Sequence, residues 1–278
     1  MTIKELILYG TKKIKEANIE NANLQTKILL SDLLKKPKEY LIINQDEETE
    51  IEKDFKENIE KIVNGYPIQY ITKKQEFMKL NFYVDENVLI PQPDTEILVE
   101  KVINICKEIK NVKILDMCTG SGAIAISLAK YLENSTVIAS DVSEKALEVA
   151  EKNAKANEVK INFLKSDMFE ELSNIKFDAI VSNPPYIETD VIKSLSNQVK
   201  CEPHIALDGG EDGLYFYKIF AENAYKFLNK DGYLCLEIGY NQKQSVTSLL
   251  KSTNKYQEIF CIKDLANIDR VIIAKKKE

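Results

Sequence analysis

Asn183-Pro184-Pro185-Tyr186 follows directly on an apolar run, Phe-Asp-Ala-Ile-Val-Ser at 177–182. The run reads as a buried strand, and the two prolines fix the backbone just past its end, where open α/β sheets bind their ligands. Pro184 has no N–H to donate, but its carbonyl accepts a hydrogen bond, and so does the Asn183 side-chain oxygen. Two rigidly held acceptors can grip both N–H bonds of a planar amide or amine. Tyr186 offers a flat wall for the same group.

A second constellation lies at 114–129, Ile-Leu-Asp-Met-Cys-Thr-Gly-Ser-Gly followed by an apolar helical stretch. A strand ends near Asp116, a glycine turn follows, and a helix opens at about Gly122. The missing side chains at Gly120 and Gly122 let backbone N–H groups approach a ligand. Asp141 ends the next strand, 19 residues after Gly122. An acidic residue there can accept from both ribose hydroxyls of an adenosine group. Capping of the helix that begins after Ser143 is an equally compatible role. The turn fits a dinucleotide poorly, because Asp116 would repel a pyrophosphate. A carboxylate suits a cofactor carrying a sulfonium and an ammonium, which points to S-adenosylmethionine.

These residues need elements to hold them, and the chain has the composition to build them. It runs to 278 residues, with 44% hydrophobic and 29% charged, enough for one large domain and a small companion. Seven strand candidates appear, at 112–117, 136–140, 161–164, 177–181, 233–238, 256–262 and 270–274. Helical stripes separate the first four, at 122–132 and 144–157 most clearly. The alternation predicts a mainly parallel sheet with helices on both faces. Too few residues part the last two strands for a crossover helix, so they are expected to form an antiparallel edge hairpin.

Residues 1–74 read instead as helices. Ile3, Leu6 and Ile7 begin one stripe, Leu24, Ile28 and Leu33 a second, and Phe55, Ile59, Ile62 and Val63 a third. Gly65 and Pro67 close the last one. The acidic Asp46-Glu47-Glu48 is expected to mark a solvated turn and a first helical turn. Residues 75–90 alternate as a hairpin connector, and 91–278 form the α/β domain.

Other classes are disfavoured. No apolar stretch approaches the ~18 residues of a membrane span, and the opening residues lack a secretion signal, so a cytoplasmic location is expected. Five scattered Cys without a CxxC support neither a disulfide framework nor a zinc site. Residues 1–74 balance 13 Lys against 13 acidic residues, leaving the whole net charge of −6 on the remainder. Arg270 is the single arginine. An acidic α/β domain with one Arg argues against nucleic acid as the main partner.

Taken together, the chain resembles the protein-(glutamine-N(5)) methyltransferases of peptide chain release factors, the PrmC/HemK family. The resemblance runs through the helical start, VLIPQPDTEILVE at 88–100, the glycine turn, SDVSEKALEVAEKNA at 140–154, IVSNPPYI, EPHIALDGGEDGL at 202–214 and LEIGYNQ at 236–242. It implies a Rossmann-like S-adenosylmethionine-dependent methyltransferase domain with a seven-stranded, mostly parallel sheet, preceded by a small all-helical substrate-docking domain. The activity it implies is methylation of the glutamine amide in the GGQ motif of release factors, in support of translation termination, with S-adenosylhomocysteine as coproduct. Cys118, Thr119, Gly120, Ser121, Gly122, Asp141, Met168 and Asn183 would line the cofactor, and Asn183, Pro184, Pro185 and Tyr186 would hold the glutamine. Two positions depart from the family: Gln92 stands where Arg is usual, and Cys118 where Gly is usual. No metal and no dedicated general base is required, and the one histidine, His204, lies in a loop motif. An amino methyltransferase acting on nucleic acid, or a non-catalytic adaptor, are the competing readings. Replacing Asp141 is expected to weaken cofactor binding while leaving stability nearly unchanged.

Overall fold

The computed structural model describes residues 1–173 and 175–278. The chain divides into two units: Met1–Lys74 with Ser196–Cys201, and Gln75–Leu195 with Glu202–Glu278. Among the described residues no helix is long and apolar enough to cross a membrane.

The first unit is built from α1 (Ile3–Glu16), α2 (Ala22–Leu34), α3 (Lys38–Ile43), α4 (Glu52–Val63) and α5 (Ile68–Thr72). Thr2 and Glu5 cap α1 reciprocally, each side chain accepting from the other's backbone N–H. Ile3, Leu6, Leu29, Leu30, Phe55 and Ile59 are fully buried in its core. The α2 face differs from the one expected: Leu24 is exposed, and Thr26, Leu29 and Leu30 are buried. Thr26 can enter the core because its hydroxyl donates to the Ala22 carbonyl at 2.8 Å. The acidic run is exposed and Asp46 lies in a turn, as expected, but the run precedes α4 without joining it, and the Glu47 carbonyl accepts from the Ile3 N–H at 3.0 Å. Ser196–Cys201, which has no apolar period to announce it, belongs to this unit.

The second unit opens with β1 (Gln75–Phe77) and β2 (Leu80–Phe82), an antiparallel pair with Gln75 opposite Phe82. Phe77 and Phe82 meet edge to face in the core of this unit, so the hairpin is part of its packing. Next comes α6 (Thr95–Cys106). The main sheet contains β3 (Lys113–Met117), β4 (Thr136–Asp141), β5 (Asn162–Lys165), β6 (Phe177–Ser182), β7 (Leu228–Glu237), β8 (Tyr256–Lys263) and β9 (Asp269–Lys276). Its order is β5-β4-β3-β6-β7-β9-β8. Strands β3 to β7 run parallel, while β9 lies antiparallel between β7 and β8. All seven predicted strands are present.

Side chains alternate between two cores, as the pleat requires. Ile114, Ala179, Val181, Cys235, Val271 and Ile273 pack with α6 and with α7 (Ala123–Tyr131). Leu115, Met117, Ile180, Leu234, Leu236 and Ile272 pack with the helices Tyr215–Asn223 and Lys243–Ser252. Strand β3 continues outward to β4, whereas β6 continues the other way to β7. The order therefore reverses between β3 and β6, the place where such sheets leave a crevice at their carboxyl ends.

Gly122 opens α7 in the left-handed region, φ 81°, and a Cβ there would stand 2.9 Å from Ile126 Cδ1 and 3.1 Å from Ala150 Cβ. Gly122→Ala combines backbone strain with this clash against α8 (Glu144–Ala156), and is expected to cost about 1–3 kcal/mol. Urea unfolding followed by circular dichroism checks it; an unchanged midpoint would show that α7 and α8 can separate without cost.

Candidate active site

Five segments meet at the carboxyl end of the sheet. Asp116 is fully buried at the end of β3, and its Oδ2 accepts from Thr119 Oγ1 at 2.6 Å and from the Ala125 N–H at 3.1 Å. These bonds fold the glycine turn back over β3 and start α7. Burial raises the Asp116 carboxyl to about 7, against the pull of those two donors. Asp141 ties the same turn from the other side. Its Oδ2 accepts from the Gly120 N–H and its Oδ1 from the Ser143 N–H, both at 2.9 Å. Burial raises this carboxyl too, with the backbone donors opposing. The cap of α8 is Ser143 itself, whose Oγ accepts from the Ala146 N–H at 3.2 Å. Asp141 is thus a brace between the two loops.

Asn153 went unnoticed as a site residue in the sequence. It is fully buried, and its amide donates to the carbonyls of Ser121 and Tyr83, both at 2.9 Å, while Oδ1 accepts from the Tyr83 N–H at 2.7 Å. A polar residue on the apolar face of α8 was the available signal. Cys118 has φ 61°, a conformation that favours glycine. That explains the usual family residue and marks its replacement as a strained one.

Asn183 begins the loop after β6. Ser182 anchors this point, its hydroxyl donating to the Met117 carbonyl of the neighbouring strand at 2.6 Å. The Asn183 amide donates from Nδ2 to Thr95 Oγ1 at 3.2 Å, and the Thr95 hydroxyl donates to Glu237 Oε2 at 2.6 Å. Among the described residues none donates to Asn183 Oδ1 or to the Pro184 carbonyl. The Tyr186 carbonyl accepts from Gln242 Nε2 at 2.9 Å, and the same nitrogen reaches the Gly213 carbonyl at 3.0 Å. A Cβ on Gly213 would fall 2.6 Å from the Tyr186 carbonyl oxygen, so the glycines of ALDGGEDGL serve the close approach of this loop.

Two cavities share Cys118, Gly120, Asn183 and Leu89 in their walls. The larger is also lined by Asp141, Val142, Met168, Pro185 and Phe216. The smaller adds Thr119, Ser121, Gln92, Thr95 and Phe77. Asp116, Gly122, Pro184 and Tyr186 line neither. Asp116 and Gly122 shape the turn from beneath, Pro184 is buried, and Tyr186 packs among aliphatic and aromatic side chains of the second core. Gln92 donates to the Ile90 carbonyl at 2.8 Å. Among the described residues no His, Cys, Asp and Glu cluster could hold a metal ion.

A parallel sheet with this order, its glycine turn over β3 and its crevice between β3 and β6 define a Rossmann-like, S-adenosylmethionine-dependent methyltransferase. Residues 92–264 match the methyltransferase small domain, and residues 5–72 the PrmC N-terminal domain. A release factor glutamine methyltransferase of Clostridium botulinum is 40% identical over 284 residues, which cover 99% of this chain and 100% of that protein. One from Moorella thermoacetica is 36% identical over 282 residues, with 100% of both chains covered. The solved structure of a methyltransferase from Pyrococcus furiosus shares the fold with a TM-score of 0.56 at 19% identity, over 80% of this chain and 99% of that one. The chain belongs to the release factor glutamine methyltransferase family.

Glu202 supplies a pH test of this region. Its Oε2 accepts from the Ile90 N–H at 3.1 Å, holding the segment that leads to Gln92 and Thr95, and burial raises its carboxyl to about 7 from a usual 4.5. A folded-state pKa above the unfolded one means that the folded chain binds the extra proton between these values. The group's contribution to stability therefore falls as pH rises from about 4.5 to about 7 and is level above. Glu202→Gln removes this titration. Its melting temperature minus that of the wild type should rise between pH 5 and pH 8, and a difference that does not change with pH would contradict the assignment.

Proposed function

We propose that this enzyme transfers a methyl group from S-adenosylmethionine to the side-chain amide nitrogen of a glutamine in peptide chain release factors, the glutamine of their GGQ motif. The observation that carries the reading is the state of Asn183. Its NH2 end is tied inward to Thr95, no donor among the described residues reaches its oxygen or the adjacent Pro184 carbonyl, and it stands where the two cavities meet. Names of the full-length relatives supply the substrate class.

The residues present suit the cofactor. Asp141 places a carboxylate with unused lone pairs on the wall of the larger cavity, where a ribose diol can donate to it. Val142, Met168 and Phe216 give the apolar surface that a purine needs. When bound, S-adenosylmethionine supplies an electrophilic methyl on a sulfonium. Everything else falls to the protein. An amide nitrogen is a weak nucleophile because its lone pair is delocalised into the carbonyl. Acceptance of its two N–H bonds by Asn183 Oδ1 and the Pro184 carbonyl shifts electron density onto nitrogen and fixes its direction. Such positioning is worth several kcal/mol of barrier, and fixed acceptors also stabilise positive charge developing on the nitrogen. One N–H proton leaves after attack, when it has become strongly acidic, so no dedicated base is needed. We assign docking of the release factor to the helical unit, and a cytoplasmic location accompanies that substrate.

Asn183→Ala removes one acceptor and leaves both prolines in place. Loss of a contact that strengthens in the transition state should lower kcat by about 10²–10³ with little change in KM. Methylation of a purified release factor, scored by mass, measures it; near-wild-type kcat would exclude the clamp, and transfer to DNA instead would exclude the substrate. Asp141→Ala should weaken S-adenosylmethionine binding by about 1.5–3 kcal/mol in calorimetry. It should also lower the melting temperature, because the Gly120 and Ser143 N–H groups lose their shared acceptor. An unchanged dissociation constant would take Asp141 out of the cofactor site.

A further inference from the structure

The two ends of a primary amide have nearly the same shape and opposite hydrogen-bonding character. Asn183 can therefore act as an acceptor only while something keeps it from turning over. Thr95 lies against its nitrogen at 3.2 Å, and the single hydroxyl proton of Thr95 is given to Glu237 Oε2 at 2.6 Å. With that proton committed, Thr95 shows only lone pairs to Asn183. The turned-over amide would set two acceptors against each other in a place bulk water does not reach, since Thr95 is 5% and Glu237 2% exposed. An ionised carboxylate has no proton to give, so it fixes the direction of the relay; a neutral amide or a protonated acid in its place could reverse it.

We propose that Glu237, acting through Thr95, is the positioning residue that fixes which end of Asn183 faces the substrate. The inference rests on the reading of Asn183 as the acceptor for the substrate amide. Charged and polar groups from several elements face Glu237. Arg270 from β9 attracts it, Asp94 from the turn before α6 opposes, and the hydroxyl of Tyr217 donates to its main-chain carbonyl at 2.8 Å. Tyr186 is its other titratable neighbour. Burial raises the Glu237 carboxyl to about 7, with Thr95, Arg270 and the Asn183 amide all drawing it down. As pH falls through that value Glu237 takes up a proton and can donate to Thr95. The acceptor end of Asn183 is then no longer enforced, and kcat should fall on the acid side.

The test uses the full chain, a purified release factor and S-adenosylmethionine, with kcat and KM measured from pH 6 to pH 9. Glu237→Gln should lower kcat about 10–100-fold, move KM for either substrate less than about threefold, and lack the acid limb near pH 7. Combined with Asn183→Ala it should cost no more than about twofold beyond Asn183→Ala alone, because both act on one group. Thr95→Ser should retain most of the rate and Thr95→Val should lose it. Wild-type kcat in Glu237→Gln, or a loss that multiplies with that of Asn183→Ala, overturns the relay. If Glu237→Gln does not fold, the Thr95 pair decides, and equal rates for its Ser and Val variants overturn it. An active Asn183→Ala removes the clamp itself, whereas an inactive Asn183→Ala beside a fully active Glu237→Gln removes only the relay.

Discussion

An acceptor can be aimed at a ligand only when every hydrogen-bonding need behind it has been met. In the clamp proposed for this enzyme that demand falls on Asn183, and three distant parts of the chain meet there. Thr95 comes from the start of α6, Glu237 from the end of β7, and Asn183 from the end of β6. Each belongs to a separate signature motif, PxPDTE, LEIG or NPPY. Such a network is costly to bury, because a carboxylate removed from water needs its partners in full. Glu237 is 2% exposed and keeps Thr95, Asn183 and Arg270 around it.

The same logic shapes the rest of the crevice. The loops leaving β3, β4 and β6 carry backbone groups that no ladder satisfies, and side chains from elsewhere take them up. Asp116 and Asp141 hold the glycine turn, Asn153 holds Ser121 and Tyr83, and Gln242 holds Tyr186, Gly213 and Gly239. The bonds of Asp141 to Gly120, of Asn153 to Ser121 and Tyr83, and of Gln242 to Tyr186 and Gly213 link segments far apart in the chain. A rigid crevice results, with few of its own polar groups pointing into the space where ligands go.

Arg270 shows how composition acquires meaning only in place. Its Nε and Nη2 reach Asp264 Oδ2 at 3.2 and 3.1 Å, and Nη2 reaches Asp94 Oδ2 at 3.2 Å. A planar fork that stays charged suits this buried task better than lysine would. The one arginine thus lies behind the loop that follows β6, beside Glu237 and Tyr186, while lysines occupy the surface.

Local chemistry settled much of this protein in advance. Alternating apolar runs announced seven strands and the antiparallel pair at the end, because strand period and connection length depend only on neighbouring residues. The glycine turn, Asp141 and Asn183-Pro184-Pro185-Tyr186 were legible for the same reason: each motif is a few residues with one chemical property. Which atoms face a ligand was another matter. Asp116 read as a contact for positive charge, and in the fold its Oδ2 accepts from Thr119 Oγ1 and from the Ala125 N–H. Asp141 read as a ligand or a cap, and in the fold it holds the Gly120 and Ser143 N–H groups. Thr95 and Glu237 carried no signal of their own, since a Thr on a helix and a Glu on a strand are ordinary, and Asn153 carried only that of a polar residue on an apolar helix face. Their roles arise from distances of 2.6–3.2 Å between residues 88 to 142 positions apart, or 32 for Asn153 and Ser121. Hydrogen bonds of that kind depend on where the sheet brings strand ends together, and only the folded chain brings them there.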